Sequence, residues 1–137
     1  EFGLDSLCEF IEDCEYPNLS VRILYLIGQQ GPSTAQPSRY IRFIFNRVLL
    51  ELPCVRAAAV SCLTKCAVEQ PVLKNDIYQL LQRSLNDEDD EVRDRATLYC
   101  SLLENFEEIK VMNETADSKD DDEEYVDVAA ENEDDDE

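Results

Sequence analysis

The chain has 137 residues, an apolar share of 44% and a formal net charge of −20 at pH 7. That length suits one domain, and that apolar share is ordinary for a protein with a packed core. Because so large an acidic excess repels phosphate, nucleic acid is excluded as a general partner.

Two helices are predicted before the first long loop. The first follows the i, i+3, i+4, i+7 spacing of Leu4, Leu7, Cys8 and Ile11. Asp5 or Ser6 is its expected N-cap. Pro17 begins the second helix, and Gly28 or Gly31 is expected to end it, since glycine commonly terminates helices.

The stretch from Ser38 to Ala67 predicts a helical hairpin around which the rest is arranged. Its first half is densely apolar, with Tyr40, Ile41, Phe43, Ile44, Phe45, Val48, Leu49 and Leu50. At about 100° per residue these side chains occur on nearly every side, so we expect this helix to be enclosed by others. Pro53 cannot continue that helix but suits the first turn of the next.

Two more helices complete the set, and none of the elements is a strand. Pro71 is expected to begin the fifth helix, which ends near Asn86. The acids of residues 87–91 then gather where the positive end of a sixth helix dipole favours them. No apolar run is long enough for a membrane span, because arginines interrupt each one.

A short repeat suggests how the helices stack. The pattern Val-Arg-x-x-Ala occurs at residues 55–59 and again at residues 92–96, an offset of 37, and a Val-Arg pair without the alanine lies at residues 21–22. Such a period is typical of helix-pair solenoids. We therefore predict an all-α, HEAT/armadillo-like α-solenoid of about six helices over residues 1–112.

The remaining residues, 113–137, are predicted to form a disordered acidic tail. They hold one Lys against 14 acids and have no helical period, so burial cannot offset chain entropy. Ser118 is followed, after Lys119, by the acids Asp120, Asp121, Asp122 and Glu123, and is a candidate site for an acid-directed kinase. An equally good interpretation is a tail that only improves solubility.

Two groups of charged residues are candidate sites. Arg56 and Arg93 can form a polar ladder between neighbouring repeats, with Asp87 or Asp89 as partners, although both arginines can also simply face solvent.

The second group is Arg39, Arg42 and Arg47, the only local concentration of positive charge in the chain. These arginines can meet an acidic partner loop or lipid headgroups. Solvated ends or internal ion pairs are the more ordinary interpretation.

The sequence gives no sign of catalytic or cofactor chemistry. Cys62 and Cys66 lie one helical turn apart, but zinc needs four ligands and the chain has no histidine. Residues 87–91 resemble the start of a calcium loop, but Val92 stands where the turn needs glycine. We expect reduced, buried cysteines, no cofactor and no enzymatic activity.

Six segments resemble the gamma-subunit family of coatomer, the coat of Golgi-derived transport vesicles. These are residues 1–15 (EFGLDSLCEFIEDCE), 22–24 (RIL), 26–32 (LIGQQGP), 37–48 (PSRYIRFIFNRV), 55–57 (VRA) and 91–97 (EVRDRAT). The likeness extends to about residue 104, and it implies a piece of an adaptin-like helical trunk.

The resemblance also implies partners and a place of action. Family trunks pair with the small zeta subunit and other coatomer subunits, and a GTP-bound Arf-type small GTPase recruits them. The expected location is cytoplasmic and peripheral on Golgi membrane, in retrograde transport to the endoplasmic reticulum and within the Golgi. An alternative is a helical-repeat adaptor that binds basic proteins through its acidic tail, and deletion of residues 113–137 distinguishes the two.

Overall fold

The computed structural model describes residues 2–106, which fold into six α-helices with no strand among them. The helices are α1 (Phe2–Glu12), α2 (Pro17–Gln30), α3 (Ser38–Leu50), α4 (Pro53–Glu69), α5 (Lys74–Arg83) and α6 (Asp90–Glu104). Short 3-10 turns occupy Gly31–Ser33, Pro71–Leu73 and Ser84–Asn86. The predicted all-helical fold is confirmed, and the predicted acidic tail and Ser118 lie outside the described residues.

The helices pair in chain order and the pairs stack into two layers. Helices α2, α4 and α6 form one layer, called the inner layer, in which α4 packs against α2 on one side and α6 on the other. Helices α3 and α5 cover α4 from the second layer, and α1 packs on α2 and α3. Each pair alone leaves an apolar face uncovered, and stacking buries these faces in one core.

The enclosed helix is α4, not α3 as predicted. Helix α3 is one-sided, since Leu49 and Leu50 at its end are 57% and 75% exposed. Helix α4 buries nine residues on several sides, namely Val55, Ala57, Ala59, Val60, Cys62, Leu63, Thr64, Cys66 and Ala67. Most of these side chains are small, which lets four neighbouring helices approach α4 closely.

The Val-Arg-x-x-Ala copies occupy equivalent places in this stack. Val55 and Ala59 near the start of α4 are fully buried, and so are Val92 and Ala96 near the start of α6. Both copies thus supply the apolar contact by which an inner-layer helix meets its neighbours. This equivalence is what a helix-pair repeat requires.

Two predicted helix boundaries are wrong, each for a local reason, and a third is confirmed. Asp5 and Ser6 do not cap α1, because α1 already begins at Phe2 and the Ser6 hydroxyl donates to the Phe2 carbonyl at 3.2 Å. Of the two glycines expected to end α2, Gly31 is its C-cap, whereas Gly28 lies buried inside the helix, facing α4. Pro71 begins a 3-10 turn, and α5 starts only at Lys74.

Candidate functional site

An arginine-carboxylate pair joins the second and third helix pairs. Arg56 lies in the first turn of α4, and Asp87 lies in the loop before α6. The Arg56 Nε donates to one Asp87 oxygen at 3.0 Å, and Nη2 donates to the other at 2.7 Å. The two side chains are 18% and 13% exposed. A bidentate, largely buried ion pair of this kind fixes the relative orientation of the two side chains as well as the distance between them.

Each member of this pair also forms a hydrogen bond with a backbone group. The Arg56 Nη1 also donates to the Glu51 carbonyl at 2.9 Å, and Asp87 accepts from the Asp89 amide at 2.9 Å. Burial acts to raise the pKa of Asp87, but the hydrogen bonds from Arg56 and the Asp89 amide outweigh it and hold that pKa below its usual value. Hydrogen bonding to Asp87 raises the pKa of Arg56.

Arg93 sits at the equivalent position of α6 but has a different set of partners. Its Nη1 donates to the carbonyl oxygens of Asp87 and Glu88 at 2.7 and 2.9 Å, and Nη2 pairs with Asp90. These contacts close the loop that leads into its own helix. Within residues 2–106, Arg93 therefore joins no second helix pair.

Asp89 has a local role as the N-cap of α6. Its carboxylate accepts from the Glu91 amide at 3.0 Å and from the Val92 amide at 3.1 Å. Such a cap satisfies amides that have no partner inside the helix. Of the four predicted ladder residues, the structure brings Arg56 and Asp87 together and leaves Asp89 and Arg93 in the loop and the first turns of α6.

The three arginines of α3 do not share one surface. Arg47 is only 5% exposed, donates to the Ile11 carbonyl at 3.2 Å and pairs with Glu51 at 2.7 Å. It therefore ties α3 to α1 from inside. The spacing of Glu51, four residues after Arg47, is the signal from which this internal pair was predictable.

Arg39 and Arg42 are exposed and line a surface cleft. The cleft has a volume of about 580 Å³, and its other lining residues are Glu12, Ser38, Phe43 and Asn46. Arg39 also pairs with Asp5 at 3.4 Å, at the surface. Exposed pairs contribute little free energy, so a partner's carboxylate can exchange with Asp5 at low cost.

The cysteines are free thiols, and four of the six are buried. The Cys62 Sγ donates to the Leu24 carbonyl at 3.1 Å. Hydrogen bonding with Cys66 and burial raise the pKa of the Cys62 thiol, and burial together with Asp5 raises that of Cys8 to about 11. Raised pKa values make these thiols poor nucleophiles, as expected for core packing. Cys54 is exposed, contrary to the expectation of buried cysteines.

Residues 2–106 contain no cluster of His, Cys, Asp and Glu side chains able to hold a metal ion. In the same range, no helix has both the length and the apolarity that a bilayer crossing requires.

Residues 1–107 match the family described as the adaptin N terminal region. The chain is 58% identical over 103 residues to coatomer subunit gamma of Drosophila melanogaster and 58% identical over 104 residues to coatomer subunit gamma-2 of Homo sapiens. It is 54% identical over 103 residues to coatomer subunit gamma of Dictyostelium discoideum. These alignments cover 75% or 76% of this chain, which spans 12% of the length of each relative.

Proposed function

From the premise that this chain belongs to the family of adaptin N-terminal regions, we propose that it is a scaffold segment of a coatomer-type vesicle coat. The resemblance to coatomer gamma subunits that the sequence showed is confirmed by identities of 54% to 58% over 103 or 104 residues. That level of identity over nearly the whole described region is the observation that carries the proposal.

The fold supports the proposal because stacked helix pairs provide a rigid surface for other proteins. The Arg56–Asp87 pair fixes the orientation of the third helix pair relative to the second, and we propose this structural link as its role. A scaffold of this kind acts through protein contacts and carries out no reaction. In the proposed role it joins other coatomer subunits, the zeta subunit especially.

The proposal places the chain in the cytoplasm and on Golgi membrane through its partners. A GTP-bound Arf-type GTPase recruits the assembled coat, and the coat works in retrograde transport to the endoplasmic reticulum and within the Golgi. Arg39 and Arg42 are the proposed contact for an acidic loop of a partner, because both are exposed and line one cleft. Arg47 is left out of this contact because its side chain is buried.

A chimera tests the proposal, since the chain spans only 12% of its relatives. The matched residues of the Drosophila coatomer subunit gamma are replaced by residues 1–106 of this chain. We expect the chimera to co-purify with zeta subunit and to bind Arf locked with GTP more tightly than Arf locked with GDP. A chimera that melts cooperatively but binds neither partner would contradict the proposal.

A matched pair of variants tests the arginine contact within that chimera. Arg42→Glu reverses an exposed charge in the cleft, and Arg22→Glu reverses an exposed charge on α2. If the cleft receives an acidic loop, Arg42→Glu weakens binding of at least one coat partner and Arg22→Glu does not. Equal effects of the two variants would remove the contact from the proposal while leaving the scaffold role in place.

A further inference from the structure

The inner layer carries a surface groove with an apolar lining, and this groove has no part in the proposed coat function. The groove has a volume of about 290 Å³. Its lining comes from α2 and α4, with one residue from α6: Val21, Leu24, Tyr25, Gly28, Ala58, Ser61, Cys62, Lys65 and Arg95. Small-molecule sites range from about 300 to 1,000 Å³, so this groove suits a few side chains of a peptide better than a whole ligand.

The groove exists because the floor residues are small where the two helices come together. A Cβ at Gly28 would lie 3.1 Å from the Cys62 Sγ, so a larger residue there would require the Cys62 side chain to shift, and glycine favours this close approach of α2 to α4. Ala58 and Ser61 are short side chains on the facing helix. Tyr25 stands beside them, 62% exposed, and forms an aromatic wall.

The charge of the groove is opposite to that of the chain. Lys65 and Arg95 are its two charged lining residues, although residues 2–106 hold 15 Asp and Glu against 10 Lys and Arg. The Lys65 ammonium lies 5.8 Å from the centre of the Tyr25 ring. A cation held over an aromatic ring stays available to a carboxylate that approaches from solvent.

Arg95 is held in place by contacts that leave part of its guanidinium uncommitted among the described residues. Its Nη1 donates to the Ser61 hydroxyl at 3.1 Å, and its Nη2 pairs with Glu91. A guanidinium has five N–H donors, so a second carboxylate can still bind. The partner Glu91 is 60% exposed, which makes that pair readily shared or exchanged.

We propose that this groove binds a short acidic segment of a partner protein, with leucine-sized side chains on the apolar floor and carboxylates on Lys65 and Arg95. The segment docks as an amphipathic helix, because the groove runs between two helices and the apolar floor takes side chains one turn apart. Apolar contact supplies affinity, and the two cations select acidic over basic segments.

The probe for this proposal is a helix-forming peptide of about 14 residues with two leucines four residues apart and glutamates one turn on either side. The matched control peptide has lysine in place of every glutamate. Fluorescence anisotropy with the full chain measures both. We expect the acidic peptide to bind at least about tenfold more tightly, and to weaken several-fold as salt rises, since exposed charges are screened.

Two variants and a control locate the binding. Lys65→Glu is expected to weaken binding of the acidic peptide about tenfold, and Ala58→Leu, which fills the floor, is expected to do the same. Arg83→Glu, which reverses an exposed charge on α5 in the other layer, is the matched control and is expected to leave peptide binding unchanged. Thermal melts establish that each variant is folded.

Three results would overturn the proposal. The first is equal binding of the acidic and basic peptides, or no binding of either. The second is an equal loss from Lys65→Glu and Arg83→Glu in folded variants, because binding would then reflect general charge. The third is self-association of the wild-type chain that Ala58→Leu abolishes, because a second copy of this chain would then be the occupant. None of these results bears on assembly of the chimera with coat subunits, so the two proposals fail separately.

Discussion

Residues 55–59 and 92–96 carry the same Val-Arg-x-x-Ala pattern near the start of an inner-layer helix. The apolar members of both copies are fully buried. The arginines differ, since Arg56 binds the Asp87 carboxylate across to the next helix pair and Arg93 binds the carbonyls of its own loop. The apolar positions therefore follow from the stacking of helix pairs, whereas the partner of each arginine depends on which acids the nearby loops carry.

The largest expected effect tests whether the apolar members of the copies are equivalent. Val55→Ala and Val92→Ala each remove two methyl groups from a fully buried site. We expect each to lower the free energy of unfolding by about 2–3 kcal/mol in urea titrations followed by circular dichroism. Leu98→Ala, at a site 56% exposed, is the control and should cost little. Losses that differ by more than about 1.5 kcal/mol between the copies would show that they are not equivalent.

The next effect tests the difference between the arginines. Truncation of Asp87 leaves a largely buried guanidinium unpaired and should cost about 2 kcal/mol. In a double-mutant cycle, Arg56→Met with Asp87→Ala should show a coupling free energy of about 1–3 kcal/mol. The cycle of Arg93→Met with Asp90→Ala should show less than about 0.5 kcal/mol, because that pair is exposed. Equal coupling in the two cycles would contradict the contrast drawn from the structure.

A smaller effect concerns the first helix pair, in which the Val-Arg pair at residues 21–22 lacks the alanine. There α2 approaches α4 at Gly28, where an added Cβ would lie 3.1 Å from the Cys62 Sγ. Gly28→Ala should therefore destabilise the chain by about 1 kcal/mol, since overpacking outweighs the helix preference of alanine. In a Cys62→Ala background the same substitution should stabilise it. If Gly28→Ala instead stabilises the wild type, the Cys62 side chain can shift away from the added Cβ at little cost in free energy.

The smallest effect is a pH dependence of the Arg56–Asp87 pair. Because the native pKa of Asp87 is lowered, its contribution to stability is complete above the unfolded value of about 3.9 and is lost as the pH falls through the native pKa. The difference in Tm between the wild type and Asp87→Asn should therefore shrink as the pH falls from about 6 to about 3. In an Arg56→Met background the difference should shrink less, because the contribution of Arg56 is then lost while the Asp89 amide still lowers the pKa of Asp87. A difference in Tm that grows toward low pH would contradict a lowered pKa of Asp87 in the folded chain.

The helix order and the repeat could be predicted from apolar spacing and from three prolines, because both features are local. The identity of the enclosed helix could not be predicted from the sequence. Counting apolar residues favours α3, whose side chains are large, but large side chains hold neighbours away. Helix α4 is enclosed because Ala57, Ala59 and Cys62 are small, and that consequence emerges only when four other helices are in place.

The Arg56–Asp87 pair was predictable only in part, because local sequence features indicate the arginine and a group of acids but not the individual contact. An arginine at the start of α4 and acids before α6 point to a pair, and the repeat offset brings them close. The acid that binds Arg56 could not be predicted from the sequence. Asp89 is the N-cap of its own helix, and only Asp87 is directed at Arg56. The sequence distinguishes Arg47 from Arg39 and Arg42 by placing Glu51 one helical turn after it, which points to an ion pair, but only the packing of α1 shows that Arg47 is buried.

Amide hydrogen exchange along the chain tests the central claim, that stacked helix pairs are held together through α4, most directly. We expect the amides of α4 to exchange most slowly among residues 2–106, because α4 is covered by α2, α3, α5 and α6 and opens only when the stack separates. Amides of α4 that exchange as fast as those of α1 would contradict it.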